Sequence, residues 1–208
     1  MSDTQETAQP PRRRRRRSDA RRSIDAILDA ARVVLGERPD ASVEEIAVTA
    51  GVTRQTVYAH FPSRDALLVG LVEAASAEYD AMLDEVGLDT APPADALAGF
   101  LDVGWRFMDR YPVVLSQLNP TAPRIPRPEN DPHDVVPPRL ERVIQRGQQA
   151  GDFDASLPAA WLTAAVFGLQ HTAAEQVVTG RMSSEEAAAV CLESSLRLCG
   201  GRHGGHAA

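Results

Sequence analysis

AVTAGVTRQTVYAHFPSRDALL, residues 47–68, decides how the rest of the chain is read. A Gly51-Val52 turn leads into a helix of barely two turns that carries Arg54, Gln55, Thr56 and Tyr58 and stops at Phe61-Pro62-Ser63. So short a helix is marginal alone, because nucleation fixes several dihedrals for one hydrogen bond. Something packed beneath must hold it, and its outer face must be worth presenting. Placing Val57 at the centre of the buried side puts Thr53 and Phe61 beside it and His60 near the edge, at about 100° per residue. Gln55 and Ala59 then point outward, flanked by Arg54, Thr56 and Tyr58.

Upstream, Ser42-Val43-Glu44-Glu45 reads as a capping box, in which Ser42 accepts from the Glu45 N–H and the Glu45 carboxylate reaches back. The helix it opens turns Val43, Ile46, Ala47 and Ala50 inward and closes at Gly51. Thr53 caps the short helix that follows. Before both, from Ser18, a stripe of Ile24, Ile27, Leu28, Ala31, Val34 and Leu35 marks an amphipathic helix that ends near Gly36. Helix, glycine turn and short helix with a bracing helix make a helix-turn-helix, whose second helix enters the major groove while the first crosses the backbone. Arg54 suits guanine, Gln55 suits adenine, and Thr56 serves either with its hydroxyl or methyl. Tyr58 and His60 are placed for phosphates, which set register rather than read sequence. Thr53, Ala59 and Ser42 complete that surface. Arg64, Arg21 and Arg22 are read as lying near helix starts, where a cation is unfavourable by about 0.3–1 kcal/mol. Phosphate contact would account for them; the plainer alternative is solvated surface arginine.

Charge agrees with a DNA-binding end. The chain has 208 residues and a net charge of −7. Residues 1–64 hold 12 Arg against 9 Asp and Glu (+3), and residues 65–208 hold 10 Arg against 20 acids (−10). This asymmetry suggests a polyanion-binding end and an acidic body. Residues 1–17 end in six arginines, Arg12 to Arg17, and are expected to form a disordered arm that neutralises phosphates without regard to sequence. Cys191 and Cys199 lie too far apart on one helix to bridge. No apolar run is long enough to span a membrane, and no secretory h-region follows the arginines, so a reduced cytoplasmic protein is expected.

The remainder reads as helical. Leu67, Leu71, Ala75, Tyr79 and Leu83 recur at helical spacing over 64–86, and a turn-rich linker covers 89–93. Further helices are expected over 95–110, 112–118, 135–150, 158–178 and 184–198, with a proline-rich loop over 119–138 and a flexible tail over 200–208. The segments 158–178 and 184–198 are apolar over a broad face, part of which a monomer would expose. Pairing with a second copy would cover it.

Residues 42–68 resemble the DNA-binding motif of the TetR family of bacterial transcriptional regulators. The matching positions are Ile46-Ala47, Gly51-Val52, Thr53, Tyr58-Ala59-His60-Phe61 and Ser63-Arg64-Asp65-Ala66-Leu67-Leu68. Ala59 departs from the larger side chain of many relatives. The resemblance implies an all-α fold of about nine helices: a three-helix DNA-binding head over 18–65 and a helical body over 66–199 for ligand binding and dimerisation. It also implies a homodimer through the last two helices, on a pseudo-palindromic operator in double-stranded DNA. A small-molecule inducer would release that operator, with repression the commoner outcome. Candidate ligand-lining residues are Trp105, Phe107, Met108, Tyr111, Gln117, Trp161, Phe167, Gln170 and His171; the plain alternative for each is ordinary core. A non-specific nucleic-acid-binding protein driven by the arginine run is the rival reading. No GxSxG, HExxH, Walker loop or GxGxxG occurs, and His203 and His206 in the tail make no metal site. No enzyme, cofactor or metal is expected.

Overall fold

The computed structural model describes residues 12–113 and 132–200, with side chains from residue 18 in the first segment and residue 136 in the second. Among these residues the chain is all-α. Its eight helices are α1 (Arg12–Glu37), α2 (Val43–Thr49), α3 (Arg54–His60), α4 (Arg64–Glu85), α5 (Pro93–Arg110), α6 (Pro132–Ala150), α7 (Ala159–Val178) and α8 (Ser184–Leu198). The helix expected at 112–118 falls almost wholly outside the described residues, as do residues 1–11 and the tail from residue 201.

Helix ends follow the local chemistry. The Ser42–Glu45 capping box starts α2, and a second box, Ser183 with Glu186, starts α8. Thr53 Oγ1 accepts from the Thr56 N–H at 3.1 Å to start α3, and Ser63 Oγ accepts from the Ala66 N–H at 3.0 Å to start α4. Between α2 and α3 the chain turns at Gly51, whose φ of +67° is open to glycine at no steric cost.

Two starts differ from the sequence expectation. The backbone of Arg12 to Arg17 continues α1, so these six residues are helical and not a disordered arm. Arginine is a good helix former, no breaker separates the run from Ser18, and extending an existing helix costs far less than nucleating one. Consequently Arg21 and Arg22 lie well inside α1, and the helix-start argument does not apply to them. Likewise α6 begins at Pro132, with Pro137 and Pro138 inside it, where the sequence suggested a loop through residue 138. Pro132 fits the first position of the helix, where the missing N–H has no partner to lose, whereas Pro137 and Pro138 lie past the first turn and each forgo a helical hydrogen bond.

Two apolar cores organise the molecule. The first joins Ile27, Ala31 and Leu35 of α1, Ile46 of α2, Val57 of α3 and Leu67 and Leu71 of α4. The second joins Tyr79 and Leu83 of α4 with Leu97, Phe100 and Leu101 of α5, Leu140 and Ile144 of α6, Leu162 and Val166 of α7 and Cys191 of α8. One helix, α4, supplies both. Tyr111 and Val113, just past α5, sit in the first core rather than the second, and Phe107 packs against both. Further along, Arg146 of α6 donates to the carbonyls of Ala91 and Leu88 at 2.6 and 2.7 Å, pinning the linker that leads into α5.

Candidate nucleic-acid interface

Val57 is fully buried, and this single anchor orients α3. Thr53, Arg54, Gln55, Tyr58 and Ala59 are exposed around it; Thr56 and His60 are half-buried. The face therefore presents guanidinium, amide, phenol and a small methyl group together, a donor and acceptor set suited to base edges and phosphates. Beside it, Pro39, Asp40, Ser42, Val43, Glu44, Arg54, Tyr58 and Arg64 line an open cleft of about 540 Å³.

Several polar groups already have partners. The Arg54 guanidinium stands 5.4 Å from the centre of the Tyr58 ring and 3.9 Å from a Glu44 carboxylate oxygen. The Thr53 and Thr56 hydroxyls are 2.8 Å apart. Glu45 Oε2 accepts from the Ser42 N–H at 2.7 Å and from the Ser42 hydroxyl at 2.9 Å, while Glu45 Oε1 pairs with Arg38 at 2.6 Å. The Ser42 N–H, the Arg38 guanidinium and the Ser42 hydroxyl together pull the Glu45 carboxyl down to about 2. Ser42 is thus a cap first, with an exposed side chain.

Arg64 departs from its expected phosphate role. Its Nη2 donates to the Pro39 carbonyl at 3.0 Å and its Nη1 donates to the Ala41 carbonyl. The guanidinium turns back to brace the loop between α1 and α2, because those carbonyls have no helix partners and lie within its reach. Arg21 and Arg22 are exposed, and Arg22 pairs with Asp19 one turn earlier in α1.

The expected ligand-lining residues do not form one set. Trp105 and Met108 are buried in the second core, and Phe167 packs against that core. Phe167 meets Phe100 edge-on at 5.7 Å. Gln170 is buried, and its amide nitrogen donates to the Leu101 carbonyl at 3.4 Å. The same amide lies where a Cβ on Gly104 would stand, so glycine lets α5 and α7 approach here. The buried Trp105 indole N–H has no hydrogen-bond partner among the described residues.

Trp161 and His171 are corrections: both face outward, Trp161 with 61% of its surface exposed. They lie on the side of α7 opposite Leu162, Val166, Gln170 and Ala173, which take the core positions. Tyr111 is a correction too. It is buried in the first core, donates its hydroxyl to Glu78 at 2.7 Å and stacks near Phe107 at 4.9 Å. Gln117 lies outside the described residues.

The sequence reading passed over Glu44, Arg38, Glu78, Arg110 and Arg32. Glu44 stood in the capping-box motif without a role. For the others no local pattern existed: Arg32 donates to the Arg110 carbonyl, 78 positions away, at 3.1 Å. No helix among the described residues is long and apolar enough to cross a membrane.

Comparison with known proteins agrees with this geometry. Residues 27–71 match the profile of bacterial regulatory proteins of the tetR family. The chain is 39% identical over 75 residues to the HTH-type transcriptional repressor LfrR of Mycolicibacterium smegmatis, covering 36% of this chain and 39% of LfrR. It is 37% identical over 68 residues to the HTH-type transcriptional regulator EthR of Mycobacterium tuberculosis, covering 32% of each. These alignments thus span well under two thirds of either relative. The crystal structure of LfrR in complex with proflavine superposes with a TM-score of 0.64 at 25% identity, covering 84% of this chain and 95% of that one. FadR of Bacillus subtilis in complex with stearoyl-CoA superposes with a TM-score of 0.65 at 20% identity over 86% and 98% of the two chains, a likeness of fold. With its helix-turn-helix built around Val57 and its body matching that architecture, the chain carries over residues 27–71 the DNA-binding domain of the tetR family of bacterial regulatory proteins and shares the fold of these structures.

Proposed function

We propose that the chain is a ligand-responsive transcriptional repressor that binds a pseudo-palindromic operator in double-stranded DNA as a homodimer and is released by a small-molecule inducer. The observation that carries this reading is the exposed α3 face of Arg54, Gln55, Tyr58 and Ala59 around the buried Val57. Such a face on a braced two-turn helix has little use except in a groove. Arg21, Arg22 and the helical Arg12–Arg17 run would add phosphate contacts.

The outer face of α7 and α8 supports the dimer. Trp161, Val178 and Val190 are at least half exposed, with Leu157 at 40% and the small residues Ala164, Gly168 and Ala189 among them. Large apolar side chains gathered on two adjacent helices mark an interface. Two-fold pairing there would set two α3 helices on half-sites about one helical turn or more apart.

For the inducer, the buried Trp105 N–H, unpaired among the described residues, favours a molecule with a hydrogen-bond acceptor, and Phe107 and Phe167 packed on the same core favour a ring-bearing one. The inducer acts by binding one arrangement of the heads better than the other, and α4, shared by both cores, links them.

Selection of bound duplexes from a random pool tests the reading. A two-fold symmetric motif, preferred over random duplex by roughly 10³-fold or more at physiological salt, is expected. Binding without an enriched motif would instead establish non-specific attachment through the arginines.

A further inference from the structure

Glu44 is an acid on a surface that the proposed function turns towards a polyanion. It has no part in the capping box of α2, which Ser42 and Glu45 form, and 71% of its side chain is exposed. Its Oε2 stands 3.9 Å from Arg54 Nη1, while the Tyr58 ring lies 5.4 Å from the same guanidinium. Arg54 is thereby held from two sides, by a carboxylate of α2 and an aromatic face of α3. The free-state pair adds little to stability, since both groups are well solvated. Its value lies in orientation. An arginine whose Nη1 faces a carboxylate and whose guanidinium lies near an aromatic ring has fewer rotamers to lose when the rest of its fork meets a guanine edge.

We propose that Glu44 is a specificity-determining residue that positions Arg54 for one base pair and penalises binding held by phosphates alone. This rests on the DNA-binding reading above. On the correct duplex Arg54 bridges Glu44 and the base. On a wrong one the carboxylate remains beside the phosphates with no base contact to offset the repulsion. Discrimination arises from that repulsive element as much as from the attractive one.

The test uses the full chain and the motif enriched by the wild type. Arg54→Ala first identifies the base pair that Arg54 reads, as the one whose preference disappears. At that pair the wild type is expected to discriminate by roughly tenfold or more. E44Q should tighten binding to random duplex, reduce the preference at that pair several-fold and leave the other pairs unchanged. E44D, which keeps the carboxylate, should retain most of the preference, and E44Q added to Arg54→Ala should change it no further. Circular dichroism of E44Q should match the wild type, because the Ser42–Glu45 box is untouched. An unaltered preference at the Arg54 pair, or an equal change at every pair, would overturn the role of Glu44 while leaving the regulator reading intact. A wild type that enriches no motif would overturn both.

Discussion

Tyr111 shows what one side chain decides in this fold. Its ring enters the first core, its hydroxyl donates to Glu78 of α4, and Arg32 of α1 stands 5.9 Å from the ring centre. Arg110 next to it pairs with the other oxygen of Glu78, and Pro112 packs on Gly36 of α1. The end of α5 is thus fastened to α1 and α4 at once. Burial first, then the hydrogen bond to the Glu78 carboxylate, raises the Tyr111 phenol from 10.0 to about 12. A phenol whose folded value is raised contributes stability that is whole below its unfolded value and fades as pH climbs through the folded one. Urea midpoints should therefore fall between pH 10 and about 12 more steeply in the wild type than in Tyr111→Phe. At neutral pH that variant should lose about 1 kcal/mol, the usual worth of one hydrogen bond.

The short helices depend on their caps. With seven residues, α2 cannot persist by propensity, so Ser42 and Glu45 satisfy donors that water would otherwise compete for. Ser42→Ala should cost about 1 kcal/mol in thermal or urea unfolding. Because the folded Glu45 carboxyl is held down at about 2, its contribution is present above 4.5 and lost as pH falls towards about 2. The acid limb of the stability curve should flatten in Glu45→Gln. The start of α1 follows propensity instead: with no breaker between Arg12 and Ser18, it runs back through the arginines.

In the molecule as a whole, α4 belongs to two cores and α7 with α8 turns an apolar face outward. Under the proposed function, the first would let α4 couple head to body, and the second would be the surface where a second copy pairs. Trp161→Glu should weaken dimerisation by roughly thirtyfold or more, as loss of a central aromatic anchor does. Sedimentation at graded concentration reads this directly. A variant that remains as dimeric as the wild type would remove the face of Trp161 from the interface.

The helix-turn-helix was legible in the sequence because its determinants are local. Ser42 with Glu45, Gly51, Thr53 and the spacing of Val57 act over three or four residues, where backbone sterics and hydrogen bonding leave few alternatives. The all-α fold followed from the same 3.6-residue period. Tertiary structure alone decided which way Arg64, Tyr111 and Trp161 face. Arg64 turned back because the carbonyls of Pro39 and Ala41 came within reach, Tyr111 joined the first core because α5 ends against α1, and Trp161 faced out because Leu162 and Val166 filled the interior. Those outcomes depend on contacts between residues tens of positions apart, whose geometry no local pattern encodes.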